Sequence, residues 1–342
     1  MKLYRYIFFI FYLFIFTACN NGNNSDPNPD SDTDRPQVSK IYNNVEGLVA
    51  DCADPYVLEH DGIYYLYGTG GNDGIKVYMS RNLAVWTDAQ GATNGYALHK
   101  NDVWGEKWFW APEVYYIDGK FYMFYSAEER ISVATADSPL GPFRQSEVEK
   151  KPFHNNIYEI DTHLFIDDDG KKYLYFVRST DGNEIWAAEL NDDLRNIKEN
   201  TLVYCLGISQ AWERVQAKVA EGPFLLKHNG TYYLTYSAND YQSSQYAVGY
   251  ATSNNPLGPW TKYDKNPILI GDDKIQGVGH HSFITKSSGC QYIIYHSHYR
   301  AGVVQPRKLG IDTYEFVSST DGSPDILKVN GPTTTPQEVC GE

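Results

Sequence analysis

Short runs of alternating polar and apolar residues, each introduced by a turn glycine, recur along the chain. Five of them are rich in tyrosine: DGIYYLYGTG from Asp61, DGKFYMFYSA from Asp118, DGKKYLYFVR from Asp169, NGTYYLTYSA from Asn229 and SGCQYIIYHS from Ser288. Asp-Gly and Asn-Gly turns between alternating apolar stretches are typical of β-hairpins, because glycine accepts the positive φ that such turns require. The pattern therefore predicts five hairpins.

The hairpins follow one another at a nearly constant distance. Their turn glycines, Gly62, Gly119, Gly170, Gly230 and Gly289, are 57, 51, 60 and 59 residues apart. A second alternating run follows each hairpin and predicts a third strand; these runs begin at Ile75, Ile131, Ile185, Tyr246 and Leu309. Repeats of this size built from antiparallel strands are typical of propeller blades. The sequence predicts an all-β fold, a single five-bladed β-propeller.

One position per blade precedes each hairpin by a similar distance. Eight or nine residues before the turn glycines stand Asp54, Trp110, Asp161, Glu221 and His280. The first strand of a propeller blade lines the central channel, so we expect these side chains to converge at one channel mouth. Acidic residues also cap strands and turns, but three acids in register favour a functional cluster.

Three carboxylates at one channel mouth are suited to the hydrolysis of a glycosidic bond. One carboxylic acid protonates the leaving oxygen while a carboxylate activates water or attacks carbon. The acid must hold its proton near neutral pH, and burial or a neighbouring carboxylate can raise its pKa accordingly. Carboxylates on different blades are separated by the channel width, which favours the wider spacing of an inverting enzyme.

The net charge and the aromatic content indicate which kinds of ligand the protein can bind. A net charge of -14 makes nucleic acid an unsuitable partner, because phosphate binding needs the opposite sign. Aromatic residues make up 15% of the chain, mainly as tyrosine, which suits half-buried strands. A minority can stack on sugars, and the candidates in long segments between strands are Trp104, Trp108, Phe109, Trp212 and Tyr241.

The N-terminus predicts export. Residues 1–18 combine Lys2 and Arg5 with a short apolar run and resemble a lipoprotein-type signal peptide, in which Cys19 becomes the lipidated first residue. Residues 19–37 are polar and predict a disordered tether, and residues 38–342 form the propeller domain. We expect an outer-membrane or cell-surface lipoprotein that meets the membrane only through its N-terminal lipid, with a periplasmic or secreted protein as the alternative.

Four cysteines remain in the domain: Cys52, Cys205, Cys290 and Cys340. Export permits disulfides, but four cysteines allow three pairings and the spacing selects none of them. We expect buried free thiols for most of the four.

The motifs around the five ring positions resemble those of glycoside hydrolase family 43. They are Ala53-Asp54-Pro55, Trp110-Ala111-Pro112-Glu113, Ile160-Asp161-Thr162 with Asp168-Asp169-Gly170, Glu221-Gly222-Pro223 and Gly277-Val278-Gly279-His280. The resemblance runs from about Ile41 to Leu327, while the W-M-N-D-P-N-G signature of fructan-cleaving relatives is absent. It implies a five-bladed propeller and an inverting glycoside hydrolase.

The resemblance also implies roles for the matched carboxylates. Asp54 is expected as the general base that activates water, and Glu221 as the general acid. Asp161 is expected to orient the acid and to tune its pKa. Glu113 is expected to make structural hydrogen bonds.

The remaining ring positions carry alternatives. His280 is expected near a possible structural Ca²⁺ in the channel, held through water, or else as a hydrogen-bonded channel residue without metal. The reaction itself requires no cofactor. Arg307 is expected to contact substrate, with Arg300 as a competing candidate. Trp110 either lines the sugar pocket or packs the blade.

The resemblance leaves the substrate among arabinose- or xylose-containing oligosaccharides and polysaccharides. Glu221-Gly222-Pro223 stands where endo-arabinanases carry E-A-P, which favours an exo-acting enzyme. The chain ends at Glu342 without the C-terminal β-sandwich of many family β-xylosidases. We expect an α-L-arabinofuranosidase first, a β-D-xylosidase second and an endo-α-1,5-arabinanase third. A non-catalytic surface glycan-binding propeller is the alternative from another class, and a protein scaffold is more distant.

Overall fold

A computed structural model describes residues 40–320 and 322–340. The predicted signal peptide at 1–18, the lipidated Cys19 and the tether at 19–37 lie outside the described residues. Within them the chain is nearly all β-sheet, arranged as five propeller blades, so the predicted fold is confirmed. No helix in this part of the chain has the length and apolar character needed to cross a membrane.

The strands are short and antiparallel. In chain order they are β1 (Ile41–Tyr42), β2 (Tyr56–His60), β3 (Ile63–Tyr67), β4 (Gly74–Ile75), β5 (Val77–Ser80), β6 (Thr87–Asp88), β7 (Leu98–His99), β8 (Trp110–Ile117), β9 (Lys120–Ala127), β10 (Arg130–Ala136), β11 (Glu159–Ile166), β12 (Lys172–Thr180), β13 (Gly182–Glu189), β14 (Val203–Leu206), β15 (Ala220–His228), β16 (Thr231–Ala238), β17 (Ala247–Ser253), β18 (Thr261–Lys262), β19 (Leu269–Ile270), β20 (Gly279–Thr285), β21 (Gln291–Ser297), β22 (Lys308–Val317), β23 (Ile326–Val329) and β24 (Gln337–Glu338). Short 3-10 helices lie at Lys100–Asp102, Glu199–Thr201 and Ala211–Arg214.

Each blade is one sheet whose strands pair in chain order. Blade 1 is β2-β3-β5-β6, blade 2 is β8-β9-β10 and blade 3 is β11-β12-β13-β14. Blade 4 is β15-β16-β17-β18, with β19 also paired to β17, and blade 5 is β20-β21-β22-β23. The predicted third strands are therefore β5, β10, β13, β17 and β22.

The hairpin turns differ in length. Asp61 and Gly62 form a two-residue turn with φ of 52° and 71°, and the turns ending at Gly119 and Gly230 have the same form. The turns containing Gly170 and Gly289 are longer, since Asp167 N donates to Lys171 O at 2.9 Å and an equivalent bond closes the other turn. In both kinds of turn the glycine adopts a positive φ, as the predicted hairpins require.

The hydrophobic core lies between neighbouring blades. Each of five apolar clusters is drawn mainly from two adjacent blades. Buried tyrosines of the second strands also cross these boundaries: Tyr67 OH donates to Pro139 O at 2.6 Å, and Tyr175 OH donates to Pro256 O. Both prolines belong to P-L-G-P segments, so the repeated exit turn accepts a hydrogen bond from the preceding blade.

The two ends of the domain join at blade 5. Strand β1 pairs with β24, and the buried Asn44 donates to Ile311 O at 2.8 Å. A disulfide joins Cys290 to Cys340. Only Cys52 and Cys205 are buried free thiols, so the prediction of free thiols for most of the four is wrong. Closure of the ring brings together Cys290 and Cys340, which are 50 residues apart in sequence.

Candidate active site

The innermost strand of each blade has an irregular backbone at or just before its start. Register shifts interrupt the first strands of blades 2 to 5, and every blade has one residue there with positive φ. These residues are Asp54 (52°), Ala111 (43°), Asp161 (56°), Gly222 (55°) and His280 (42°). Bulges of this kind redirect side chains and are frequent beside active sites.

The bulges correct the predicted ring. Asp54, Asp161 and His280 occupy the equivalent left-handed position, as predicted, but Trp110 and Glu221 stand one residue earlier, before Ala111 and Gly222. The side chains at the channel mouth therefore come from two adjacent positions of the repeat. Counting back from the turn glycines could not separate them, because the positive-φ residue lies eight positions before the glycine of a two-residue turn but nine before the glycine of the longer turns in blades 3 and 5.

At four bulges the backbone N–H donates to a side chain of the preceding blade. The acceptors stand seven residues after the turn glycines, on the second strand or, for Thr69, two residues beyond it. The bonds are Ala111 N to Thr69 Oγ1 (3.0 Å), Asp161 N to Ser126 Oγ (3.2 Å), His280 N to Ser237 Oγ (2.8 Å) and Asp54 N to His296 Nδ1 (3.2 Å). We call these acceptors the bulge caps. Since His296 belongs to blade 5, the last bond joins blade 5 to blade 1.

Asp54 lies in a cationic and hydrogen-bonded environment. Its Oδ1 is 2.8 Å from Arg307 Nη1 and 3.3 Å from both His280 Nδ1 and His296 Nδ1, and Thr69 donates to its Oδ2. Burial opposes ionisation, but the nearby Arg307 guanidinium, more than any other group, holds the pKa of Asp54 well below its ordinary value. Asp54 is therefore a carboxylate at neutral pH.

Glu221 lies in the opposite electrostatic situation. Tyr246 OH donates to its Oε1 at 2.8 Å, and Asn183 Nδ2 donates to its Oε2 at 3.3 Å. Burial, together with the charge of Asp54, outweighs these bonds and raises the pKa of Glu221 to about 7. Burial and the neighbouring Glu221 and Asp54 also raise the pKa of Asp161. Glu221 and Asp161 thus both hold protons to higher pH than ordinary carboxyls do, beside an ionised Asp54.

The channel beneath the carboxylates contains neutral histidines. Burial lowers the pKa of His280 and, further, that of His281. Thr162 Oγ1, His163 Nε2 and His281 Nδ1 are buried without a hydrogen-bond partner among the described residues. A void of about 10 Å³ borders Thr162 and His281, close to the volume that one water needs.

These donors do not fit a directly coordinated calcium ion. Calcium takes six to eight oxygen ligands, whereas the described residues contain no group of three His, Cys, Asp or Glu side chains placed to hold a metal. Glu113, on the channel wall, is 3.0 Å from His163 Nδ1 and accepts from Tyr115, as a structural residue would. The arrangement suits ordered water, and a water-held ion near His280 stays a prediction.

A cavity of about 490 Å³ opens above the carboxylates, within the range of roughly 300–1,000 Å³ that small-molecule sites occupy. It brings together the predicted site residues Asp54, Trp110, Asp161, Glu221, His280 and Arg307. The competing Arg300 is exposed and lies outside the cavity lining.

The aromatic candidates separate by position. Tyr241 lines the cavity, and its ring lies 4.6 Å from the Arg307 guanidinium carbon. Trp108 is partly exposed and stacks on Trp110 at 5.7 Å. The remaining three belong to the apolar clusters: Phe109 is buried, and Trp104 and Trp212 are partly buried. Trp110 thus lines the cavity on one side and contacts a second indole on the other.

Sequence reasoning missed four residues that contact the carboxylates. Thr69 and His296 could have been found, because both stand seven residues after a turn glycine, where Ser126 and Ser237 also stand. Asn183 and Tyr246 carry no such signal. They reach Glu221 from blades 3 and 4 through packing that no local pattern encodes.

Comparison with known proteins agrees with this geometry. Residues 48–324 match the family model described as glycosyl hydrolases family 43. A crystal structure of an endo-1,4-β-xylanase from Bacteroides thetaiotaomicron is 46% identical, with a TM-score of 0.77, and the match covers 85% of this chain and 98% of that one. A thermostable family-43 glycoside hydrolase is 38% identical, with a TM-score of 0.79 and coverage of 88% and 100%. The β-D-galactofuranosidase of Aspergillus niger is 28% identical over 275 residues, 72% of this chain and 74% of that protein.

The fold, the paired carboxyls and these matches define a glycoside hydrolase. The chain belongs to glycoside hydrolase family 43, as its motifs predicted.

Proposed function

We propose that this protein is an inverting, exo-acting α-L-arabinofuranosidase that removes side chains from plant polysaccharides or oligosaccharides. The observation that carries the proposal is the opposite perturbation of two carboxyls in one cavity. Asp54 is held ionised beside Arg307, while Glu221 keeps its proton to about pH 7. Hydrolysis with inversion requires one group in each state.

In the proposed mechanism Asp54 acts as general base. Its carboxylate accepts a proton from water as the water oxygen attacks the anomeric carbon, and Glu221 donates its proton to the departing glycosidic oxygen. Asp161 lies beside Glu221 and, once ionised, repels a second negative charge there, which favours the protonated acid.

Arg307 and the aromatic residues bind and orient the substrate in this proposal. The guanidinium reaches Asp54 and also lies over the Tyr241 ring, so it connects the base to the cavity wall. Trp110 offers an apolar ring face at the same cavity. Apolar faces of sugars pack on such rings, while hydroxyl groups take the polar contacts.

Relatives' names support arabinose and xylose as the sugars. Curated relatives at 26–28% identity include an α-L-arabinofuranosidase, a β-xylosidase and a xylosidase/arabinosidase. A specific observation favours a second candidate, cleavage of β-1,4-xylosidic bonds, because the 46% identical structure is an endo-1,4-β-xylanase. β-D-Xylosidase activity is the exo-acting form of that candidate.

Incubation of the purified protein with arabinosyl-substituted and unsubstituted xylo-oligosaccharides and with arabino-oligosaccharides tests both candidates. We expect free arabinose, with the anomeric configuration of the first product inverted by proton NMR. Release of xylose or shorter xylo-oligosaccharides alone would favour the second candidate. No release from any substrate, with oligosaccharide binding retained, would overturn the catalytic proposal and leave a glycan-binding propeller.

Two amide variants assign the roles. Glu221→Gln and Asp54→Asn should each lower kcat by ~10²–10⁴-fold or more. On an aryl glycoside with a good leaving group Glu221→Gln should recover much of its rate, since protonation is then less needed, whereas Asp54→Asn should not. Glu147→Gln is the matched control, because Glu147 is an exposed carboxylate. Equal loss on both substrates for both variants would contradict the separate roles.

We also propose that the protein is exported and tethered by a lipid on Cys19. The support is the sequence pattern of residues 1–37 alone. Metabolic labelling with a radioactive fatty acid should mark the full-length protein and leave Cys19→Ser unlabelled.

A further inference from the structure

One bulge lacks the cap that the other four possess. The seventh residue after Gly170 is Val177, on β12. Val177 pairs with Ile160 just as Ser126 pairs with Trp110 in blade 2, so it stands at the cap position of blade 3. Its side chain is buried and offers no acceptor atom. The bulge in blade 4 must therefore find another partner for its N–H.

That partner is a carboxylate of the active site. Gly222 N, the bulge N–H of blade 4, donates to Asp161 Oδ2 at 3.4 Å. In the four capped blades the equivalent N–H is occupied by a side chain of the preceding blade. The missing cap and the bond to Asp161 thus occur at the same place, directly after Glu221.

We infer that Val177 is a positioning residue: its apolar side chain leaves the Gly222 N–H to Asp161, and this bond fixes the Asp161 carboxylate beside Glu221. The inference rests on the proposed roles of Glu221 and Asp161. A threonine, serine or histidine at position 177, as at the other cap positions, would compete for the same N–H.

The bond matters because the surroundings of Asp161 disfavour its charge. Glu221 and Asp54 face it as carboxyls, whereas Arg307 favours its ionised form and the neutral His280 is 3.9 Å away. An N–H donor stabilises the ionised form of a carboxyl. It therefore favours a charge on Asp161 and leaves the proton to Glu221, the group that must donate it.

Val177→Thr tests the inference with almost no change of volume. The new hydroxyl should accept the Gly222 N–H, so Asp161 loses a donor and competes more strongly with Glu221 for a proton. We expect kcat at neutral pH to fall about two- to tenfold, the effect of one ordinary hydrogen bond. KM should stay unchanged, and the basic limb of the pH–rate profile should move to higher pH, because the pair then holds its last proton more tightly.

Two further variants control for packing. Val177→Ala removes the same apolar contacts without adding an acceptor and should keep the wild-type pH profile. If Val177→Thr does not fold, Val177→Ser supplies the acceptor in a smaller side chain, as Ser126 and Ser237 do. An unchanged pH profile in the folded acceptor variant, or the same change in Val177→Ala, would overturn the inference.

A readout independent of activity separates this inference from the proposed function. Carbon-13 NMR of aspartate carboxyls, with Asp161 assigned through Asp161→Asn, should give a higher pKa for Asp161 in Val177→Thr than in wild type. That increase would support the positioning role even if no tested glycoside were cleaved. An unchanged pKa for Asp161 would overturn it even in an active enzyme.

Discussion

Replacing Tyr246 by phenylalanine should extend the activity of the enzyme to higher pH. Tyr246 is fully buried, and its OH donates to Glu221 Oε1 at 2.8 Å. That bond stabilises the ionised form of Glu221 and so holds its pKa down. Tyr246→Phe keeps the ring, which stacks on His296 at 5.6 Å, and removes only the donor.

The magnitude follows from the geometry. A hydrogen bond to a charged group contributes roughly 1.5–3 kcal/mol, and part of it persists when Glu221 is protonated. A difference of about 1.4 kcal/mol is one pH unit. The pKa of Glu221 should therefore rise from about 7 by about one unit. Between pH 6 and pH 8 the variant should retain about fivefold more of its activity than wild type does.

The assay is kcat/KM from pH 4 to pH 9 on the best substrate found. The sign is fixed because the general acid must be protonated, so a higher pKa of Glu221 extends activity upward in pH. Tyr233→Phe is the matched control: its OH donates to Asp325 O at 2.7 Å, and neither residue lines the cavity. A basic limb that stays in place or moves downward in Tyr246→Phe would refute the assignment of Glu221 as the acid.

Three further outcomes are expected. Arg307→Met should move the acid limb of the pH–rate profile upward by about one to two pH units, since Asp54 loses the cation that keeps it ionised. The basic limb should move upward too, because Arg307 also lowers the pKa of Glu221. An unmoved acid limb would exclude Asp54 as the base. Cys290→Ser should lower the free energy of unfolding by about 2–4 kcal/mol in urea titrations, and reduction of the wild type should reproduce the loss. Dialysis against a chelator tests the water-held Ca²⁺ predicted near His280: a Tm that falls and is restored by added Ca²⁺ would support the ion, and an unchanged Tm would contradict it.

The repeat pattern was enough to predict the architecture. Glycine turns and alternating residues are local signals, and the five hairpins and third strands lie where those signals place them. The same counting placed Asp54, Asp161 and His280 correctly but shifted Trp110 and Glu221 by one residue. The turn glycine of a two-residue turn lies eight residues after the positive-φ position and that of a longer turn lies nine after it, and the repeat pattern did not distinguish the two turn lengths.

Contacts between residues of different blades could not be predicted from local sequence patterns. Asp54 meets Arg307 across 253 residues of sequence and His296 across 242. Asn183 and Tyr246 reach the same carboxyl, Glu221, from different blades. Burial and charge at this junction set the pKa of each carboxyl, so the protonation states depend on assembly of the whole ring.

The sequence by itself determined the number of blades, the all-β fold and the residue types available for acid–base chemistry, because these depend on local periodicity and on composition. Only the tertiary structure decided that Asp54 is ionised while Glu221 retains a proton, that Arg307 rather than Arg300 faces the cavity, and that Cys290 bonds to Cys340. The physical reason is that desolvation, Coulomb interaction and covalent pairing act over distances in space, and closing the ring brings together residues far apart in sequence.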